Sequence, residues 1–374
     1  MMVQVLPVRT SRQQKEFLYL PERLPNGRPS YVPPIWMDEK SFYSTAKNPA
    51  YAVCRTERWL AYRGDSLVGR IMGIIHDEYN EREGEKTARF YSLECINDQE
   101  VAHKLLSAAE SWARENGMNR IIGPFGFSDK DPEGLQIEGL EYRPVISTAN
   151  NAAYLEKLVV NESYEKLTDC VVYRLDVPAT TPAIFIRAAR LVSRKMNVQQ
   201  HNFTSTRQLK PYVIPIFRLI NETYKDLLGF VPLTDQEMKK LANQYLPLLD
   251  PHFVKAITDE RNNLIAFIVA VPDFSEGLKK AKGKLFPFGF IHLFASMKKT
   301  QQLNMLLGAV HPDYQGKGLT ALLGIDLFDA ARKRKFTFCD SHLILETNTK
   351  MRGEMERIGG KVYKRYRIYQ KKLS

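Results

Sequence analysis

Only four cysteines occur in 374 residues, Cys54, Cys95, Cys170 and Cys339, and no two of them stand at a C-x-x-C spacing. That scarcity argues against a disulfide framework and a thiolate zinc site, and it fits reduced thiols in a cytoplasmic protein. Long apolar runs are missing as well: none approaches the ~20 residues of a membrane span. The N-terminal stretch MMVQVLPVRTSRQQKEF carries Arg9 and Arg12 where a signal peptide needs an apolar core. There is no long low-complexity tract. Neither G-x-x-x-x-G-K-[ST] nor G-x-G-x-x-G is present, which argues against a P-loop and a dinucleotide fingerprint.

What is present describes a globular chain. Apolar residues make up 44% and aromatics 11%, ample for a sizeable core. The length suits about two domains. Lys and Arg outnumber Asp and Glu by 54 to 42, a net charge of +12. That balance suits an anionic partner such as a phosphorylated cofactor, nucleic acid or a membrane surface, without choosing among them.

The two halves repeat a pattern. RWLAYRGDSLVGRIMGII (residues 58–75) reads as a β-hairpin around Gly64-Asp65. FVKAITDERNNLIAFIVAVPDF (residues 253–274) repeats the design roughly 200 residues later. In the first half ARFYSLECI reads as a strand, and residues 99–117 as an amphipathic helix stopped by Gly117. In the second half NMLLGAV is a strand, TALLGIDLFDAARKRK a helix and CDSHLILETN a further strand. The order hairpin, strand, helix, strand, helix, strand implies a mixed α/β sheet with helices packed on it. Pro178 and Pro182 interrupt the chain between the halves. The expected division is residues 1–178, a helical linker over 179–200, and residues 201–374.

HPDYQGKGLTALLGIDLFDAARKR (residues 311–334) is the most informative stretch. Its loop, Gln315-Gly316-Lys317-Gly318, joins a strand to a helix. First-turn amides of a helix lack intrahelical partners and carry the positive end of the dipole. Glycines let a bulky anion reach those amides, and Lys317 and Gln315 add charge and a hydrogen bond. The pattern suits a phosphate or pyrophosphate cradle. The plainer reading is a glycine-rich turn without a ligand.

LLGAVHPDYQGKGLTALL resembles the acyl-CoA signature of the GNAT acyltransferase superfamily, [RQ]-x-x-G-x-[GA]. Gln315, Gly316, Lys317 and Gly318 match, whereas Thr320 stands where Gly or Ala is usual. Several further stretches, among them GPFGFSDKDPEGLQIEG (residues 123–139) and PDFSEGLKKAKGKLFPFG (residues 272–289), resemble a bacterial GNAT family that recurs in tandem form and has no settled substrate. The resemblance covers most of the chain. It implies two GNAT-like domains in tandem, each a mixed, mostly antiparallel sheet flanked by helices. The first is a degenerate copy, since ECINDQEVA holds the loop position without a glycine.

The resemblance also implies a chemistry: direct transfer of an acyl group from acetyl-CoA or another acyl-CoA to an amine on a small molecule or peptide. Backbone N–H groups at Ala309 and Val310 would polarise the thioester carbonyl, amides from Gly316 through Leu319 to Thr320 would hold pyrophosphate, and Asn348 would bind the pantetheine arm. The family's usual acidic Tyr falls at Met355, which cannot donate a proton. That departure supports the rival reading of a non-catalytic CoA-binding or regulatory protein. Glu346 is the preferred base and His311 the second candidate; each has a bland alternative, a salt-bridged carboxylate and a local cap. The loop at 123–139 could supply Asp129, Asp131 or Glu138 to a cationic acceptor, or it could be a solvated surface loop. KVYKRYRIYQKKL (residues 361–373) interleaves basic and aromatic residues, as single-strand nucleic-acid binders do. The preferred reading is a final strand with a solvated basic face. Acyl length, acceptor and oligomeric state stay open.

Overall fold

A computed structural model describes residues 2–24, 28 and 30–373. In the first half, period-two alternation and turn residues set the strands. Elements run β1 (Val3–Pro7), α1 (Ser11–Arg23), α2 (Trp36–Phe42), β2 (Cys54–Arg63), β3 (Ser66–His76), α3 (Asp77–Glu83), β4 (Thr87–Cys95), α4 (Gln99–Glu115), β5 (Arg120–Gly123), β6 (Leu135–Glu138), α5 (Tyr154–Val160) and β7 (Glu165–Asp176). The second half runs α6 (Ala183–Lys195), β8 (Val198–Asn202), α7 (Thr206–Thr223), α8 (Asp235–Tyr245), β9 (Val254–Asp259), β10 (Leu264–Pro272), α9 (Ser275–Ala281), α10 (Gly289–Lys299), β11 (Gln302–Val310), α11 (Leu319–Lys333), β12 (Phe338–Ser341), β13 (Ile344–Leu345), α12 (Thr349–Arg357) and β14 (Lys361–Lys372).

Both expected hairpins form, β2–β3 with Gly64 and β9–β10 with Asn262 at positive φ in their turns. Each half then has one parallel pair, β4 with β5 and β11 with β12, among otherwise antiparallel neighbours. The helix after the first strand of each parallel pair covers the sheet. Leu105, Leu106 and Ala109 of α4 pack on Ile71 and Phe90, and Leu327, Phe328 and Ala331 of α11 pack on Ala270 and Leu303.

The halves do not close separately. The sheet order is β1-β2-β3-β4-β5-β14-β7-β12-β11-β10-β9-β8. The last strand of the chain completes the first half beside β5, and β7 completes the second half beside β12. β14 and β7 pair antiparallel over nearly their whole length at the centre. The boundary expected at residue 178 therefore coincides with the end of a strand that belongs structurally to the other half. The segment expected as a linker, α6, is packed: Phe185 stacks on Phe328 of α11 at 6.1 Å, and Val192 is buried against Leu319 and Leu323.

Two readings of strands change. CDSHLILETN does not run as one strand but breaks at His342 between β12 and β13. KVYKRYRIYQKKL is the final strand, with Lys361 and Lys372 exposed at its ends, but the basic residues between them are largely paired. Arg367 and Arg365 pair with the buried carboxylate of Asp169, Lys371 pairs with Glu110, and Lys364 is buried 3.7 Å from Asp340. These charges are spent on joining the halves, which leaves no free basic row on this strand for a nucleic acid.

Candidate active site

The site begins where two strands part. β11 and β12 are in parallel register from Gln302↔Phe338 to Met305↔Ser341. The His342 amide then donates to the Met305 carbonyl at 3.0 Å. Beyond that point β12 has ended, while β11 continues to Val310 with β10 alone beside it. The His311 amide bonds the Ile265 carbonyl at 2.8 Å, and Ala309 lies opposite Phe267. Backbone groups alternate in direction along an antiparallel pair. The Ala309 amide thus faces β10, and those of Gly308 and Val310 face the opening. The Tyr224 hydroxyl, at the end of α7, donates to the Gly308 carbonyl at 3.0 Å, which confirms the direction.

The glycine loop lies at the end of this strand. Gly316 and Gly318 have φ of 72° and 92°, a left-handed conformation that glycine adopts without penalty. A Cβ added at Gly316 would meet nothing within 4 Å, so the space over the loop is open. Helix α11 starts without a side-chain cap. Among the described residues, the amides of Gly316, Gly318, Leu319 and Thr320 have no backbone acceptor. The loop thus fits an anionic group by its open space and free donors. Gln315 is turned inward, donating to the Val310 carbonyl at 3.2 Å. Lys317 lies 5.2 Å over the Tyr314 ring. The Thr320 side chain is hydrogen-bonded to Glu354, whose carboxyl burial raises.

The first half shows the opposite arrangement at the equivalent helix. Asp98 caps α4, accepting from the amides of Glu100 and Val101, and Arg63 pairs with it at 2.8 Å. Arg63 holds the Asp98 carboxyl below its ordinary range. The protein's own carboxylate occupies the place where a phosphate would bind.

Loop, opening and first half all face one cavity of about 2030 Å³. Ordinary ligand pockets are roughly 300–1,000 Å³. Apolar side chains from α7, including Val213, Ile216, Phe217 and Ile220, form one wall. Half-buried ionisable groups line the cavity. Burial pushes the Glu133 carboxyl up to about 8, with Asp129 and Asp131 adding to the effect. Its described partner is the Cys170 thiol, which donates at 3.3 Å. Burial likewise raises Asp131 to about 6 and Glu39 to about 7. Burial lowers the His342 imidazole below its ordinary range. His342 Nε2 lies 3.2 Å from the Ile146 carbonyl. A carbonyl can only accept, so Nε2 carries the proton and Nδ1 is left with its lone pair.

The expected residues divide between cavity and structure. Val310, Gly316, Lys317, Gly318, Thr320, Asn348 and Asp129 line the cavity. Asn348 caps α12, its Oδ1 accepting from the Met351 amide at 3.1 Å. Asp129 pairs with Lys130 at 2.9 Å. Leu319 is buried, and only its amide is available. Three residues lie away from the cavity lining. Glu346 is held by Lys166 at 2.8 Å and by the Asp169 amide at 3.1 Å. His311 caps the turn at Pro312 through Nδ1 and pairs with Glu222 at 2.9 Å through Nε2. Glu138 pairs with Arg365 at 3.0 Å and is exposed. Met355, at the usual Tyr position, is buried against Val171 and Leu175.

A tandem GNAT protein from the clavulanic acid biosynthesis pathway superposes over 100% of this chain and 99% of its own, with TM-score 0.53 and 13% identity. The fold is that of two GNAT units in tandem. The chain belongs to the family of Protein YghO of Escherichia coli, which is 30% identical over 372 residues, 96% of this chain and 93% of that one. The "Bacterial ceramide synthase" of Caulobacter vibrioides is 27% identical over 385 residues, 99% of this chain and 97% of its own. No family model matches the chain.

Proposed function

We propose that the protein transfers an acyl group from acyl-CoA to the amine of an acceptor, and that at least one of the two carries a long apolar chain. The observation that carries this reading is the parting of β11 from β12 between an uncapped glycine loop and a large, mainly apolar cavity. A relative named for ceramide synthesis supports it, because a ceramide is an amide of a fatty acid with a long-chain amino alcohol. The volume suits such chains better than acetyl-CoA with a small amine. The free amides of Gly316, Gly318, Leu319 and Thr320, with the Lys317 side chain, hold the pyrophosphate. The Val310 and Gly308 amides stabilise the negative charge that develops on the thioester oxygen. His342 Nδ1, at the apex of the opening, accepts the proton the amine loses as its nitrogen bonds the acyl carbon. The C–S bond breaks, and the departing thiolate takes a proton from the Glu133 carboxyl, which is still protonated at neutral pH. Two groups with oppositely shifted pKa values thus divide the base and acid roles, and the role missing at Met355 is filled from the other half.

Thiol release tests this. Wild type given palmitoyl-CoA and a long-chain amino alcohol should release free CoA only when the amine is present, and faster than with acetyl-CoA. Gly316→Asp puts a carboxylate in open space over the loop and should abolish calorimetric binding of CoA in a protein that still folds, with a small drop in melting temperature because a side chain is strained at this positive φ. Binding without amine-dependent thiol release would favour the CoA-binding regulatory reading, for which Met355 is the argument. A folded wild type that binds no CoA would remove both.

A further inference from the structure

Twelve large apolar side chains are exposed among the described residues, and five of them lie between positions 286 and 294. Phe286 is 72% exposed, Phe288 69% and Ile291 52%, and Phe290 and Phe294 complete the set. The Phe286 ring lies 6.5 Å from that of Phe290. Phe290, Ile291 and Phe294 follow i, i+1, i+4 spacing on α10, while Gly289 and Leu293 on its other side are buried. A solvated surface gives no reason to concentrate this much apolar area, and such patches mark docking sites.

The charge around the patch specifies the partner. Residues 275–300 hold six lysines and one acidic residue, Glu276. Lys280, Lys282, Lys284, Lys298 and Lys299 are exposed. Glu276 is already shared between Lys279 and Arg143. Aromatic side chains ringed by lysines fit the boundary between acyl chains and anionic headgroups. No helix of the described residues is long and apolar enough to cross a membrane.

The hairpin is firmly mounted. A Cβ at Gly277 would lie 2.5 Å from the His292 carbonyl oxygen, so α9 and α10 touch at the backbone. The Trp36 amide and indole N–H bond the carbonyls of Gly283 and Lys282. The same elements reach the substrate cavity, since Phe274 and Leu278 at α9 and Ile35 and Trp36 line it.

We propose that the α9–α10 hairpin docks the protein peripherally on anionic phospholipid bilayers, with Phe286, Phe288, Phe290, Ile291 and Phe294 entering the interface and the surrounding lysines contacting phosphate headgroups. The cavity wall then stands beside the membrane surface, a source of long-chain substrates.

Flotation of the full chain with phosphatidylcholine vesicles, with or without phosphatidylglycerol, tests this with no acyl-CoA or acceptor present, so the result does not depend on the transferase reading. Wild type should float with the phosphatidylglycerol vesicles and be released by raised salt. Phe288→Ser with Ile291→Ser and Phe294→Ser should cut binding at least tenfold at an unchanged melting temperature. Lys280→Gln with Lys282→Gln and Lys284→Gln should also reduce binding and remove most of the salt dependence. Wild type that stays unbound, or a triple serine variant that binds equally well, would overturn the proposal. So would a wild-type dimer in sedimentation that becomes a monomer in the serine variant, because the face would then be an interface between copies.

Discussion

His342 sits at the strand break and Glu133 beside Cys170 of β7, both lining the same cavity, and burial drives their ionisation in opposite directions. Neither is recognisable from its neighbours in sequence. Glu133 lies inside the loop at 123–139 that composition already singles out, but its burial is produced by Cys170 and the strands around it, which are remote in the chain. His342 had one local signal, the polar Asp-Ser-His that interrupts an apolar strand. The residues that sequence favoured, Glu346 and His311, lose their freedom to partners it could not foresee: Lys166 is 180 positions from Glu346. His342→Ala should lower kcat by about 10²–10³-fold and erase the acid limb of the rate profile below its ordinary pKa, with KM for acyl-CoA unchanged. Glu133→Gln should remove the alkaline limb near pH 8. Its effect on stability has a definite sign. A carboxyl raised from 4.5 to about 8 in the fold contributes stability that is complete below pH 4.5 and is lost as pH rises through 8. Wild type should therefore lose ground to Glu133→Gln across that window, by on the order of 2–4 kcal/mol after allowance for partial exposure. Melting temperatures of both proteins from pH 5 to 9 check it, and parallel curves would mean that Glu133 ionises normally.

Individual elements were the most legible part of the chain. Hairpin turns, the Gly117 stop after α4 and the glycine loop before α11 are local features, fixed by φ requirements and capping within a few residues. The α9–α10 insertion carries only a family likeness in the sequence, because a helix pair between β10 and β11 interrupts the repeat shared by the two halves. Its geometry depends on Gly277, whose hydrogen side faces the His292 carbonyl at a distance no side chain fits. Gly277→Val should force α10 off α9, lowering thermal stability by about 1–3 kcal/mol through overpacking. Because Phe274 and Leu278 bridge the hairpin to the cavity, KM for a long-chain substrate should rise more than KM for acetyl-CoA. Equal changes in both would separate the hairpin from chain binding.

Partner choice by β7 and β14 was beyond sequence reasoning altogether, since either strand has the pattern to complete either half. The choice has a thermodynamic consequence. Fragment 1–178 would leave β5 without β14 and β7 without both of its neighbours, exposing three strand edges and the buried faces of Tyr173, Val171 and Cys170. Unpaired edges of that kind aggregate. It would also strip Asp169, which is 1% exposed in the whole protein, of Arg365 and Arg367 and leave it only the half-exposed Lys166 at 3.2 Å, and breaking a buried charge pairing costs up to about 3–5 kcal/mol. The two halves should therefore unfold together, in one calorimetric transition whose van't Hoff and calorimetric enthalpies agree. Removal of residues 361–374 should abolish that transition rather than shift half of it. Two resolved transitions in the intact chain, or a folded and monomeric 1–178 fragment, would show that the central β7–β14 pair is an ornament on independent domains rather than the seam that makes them one folding unit.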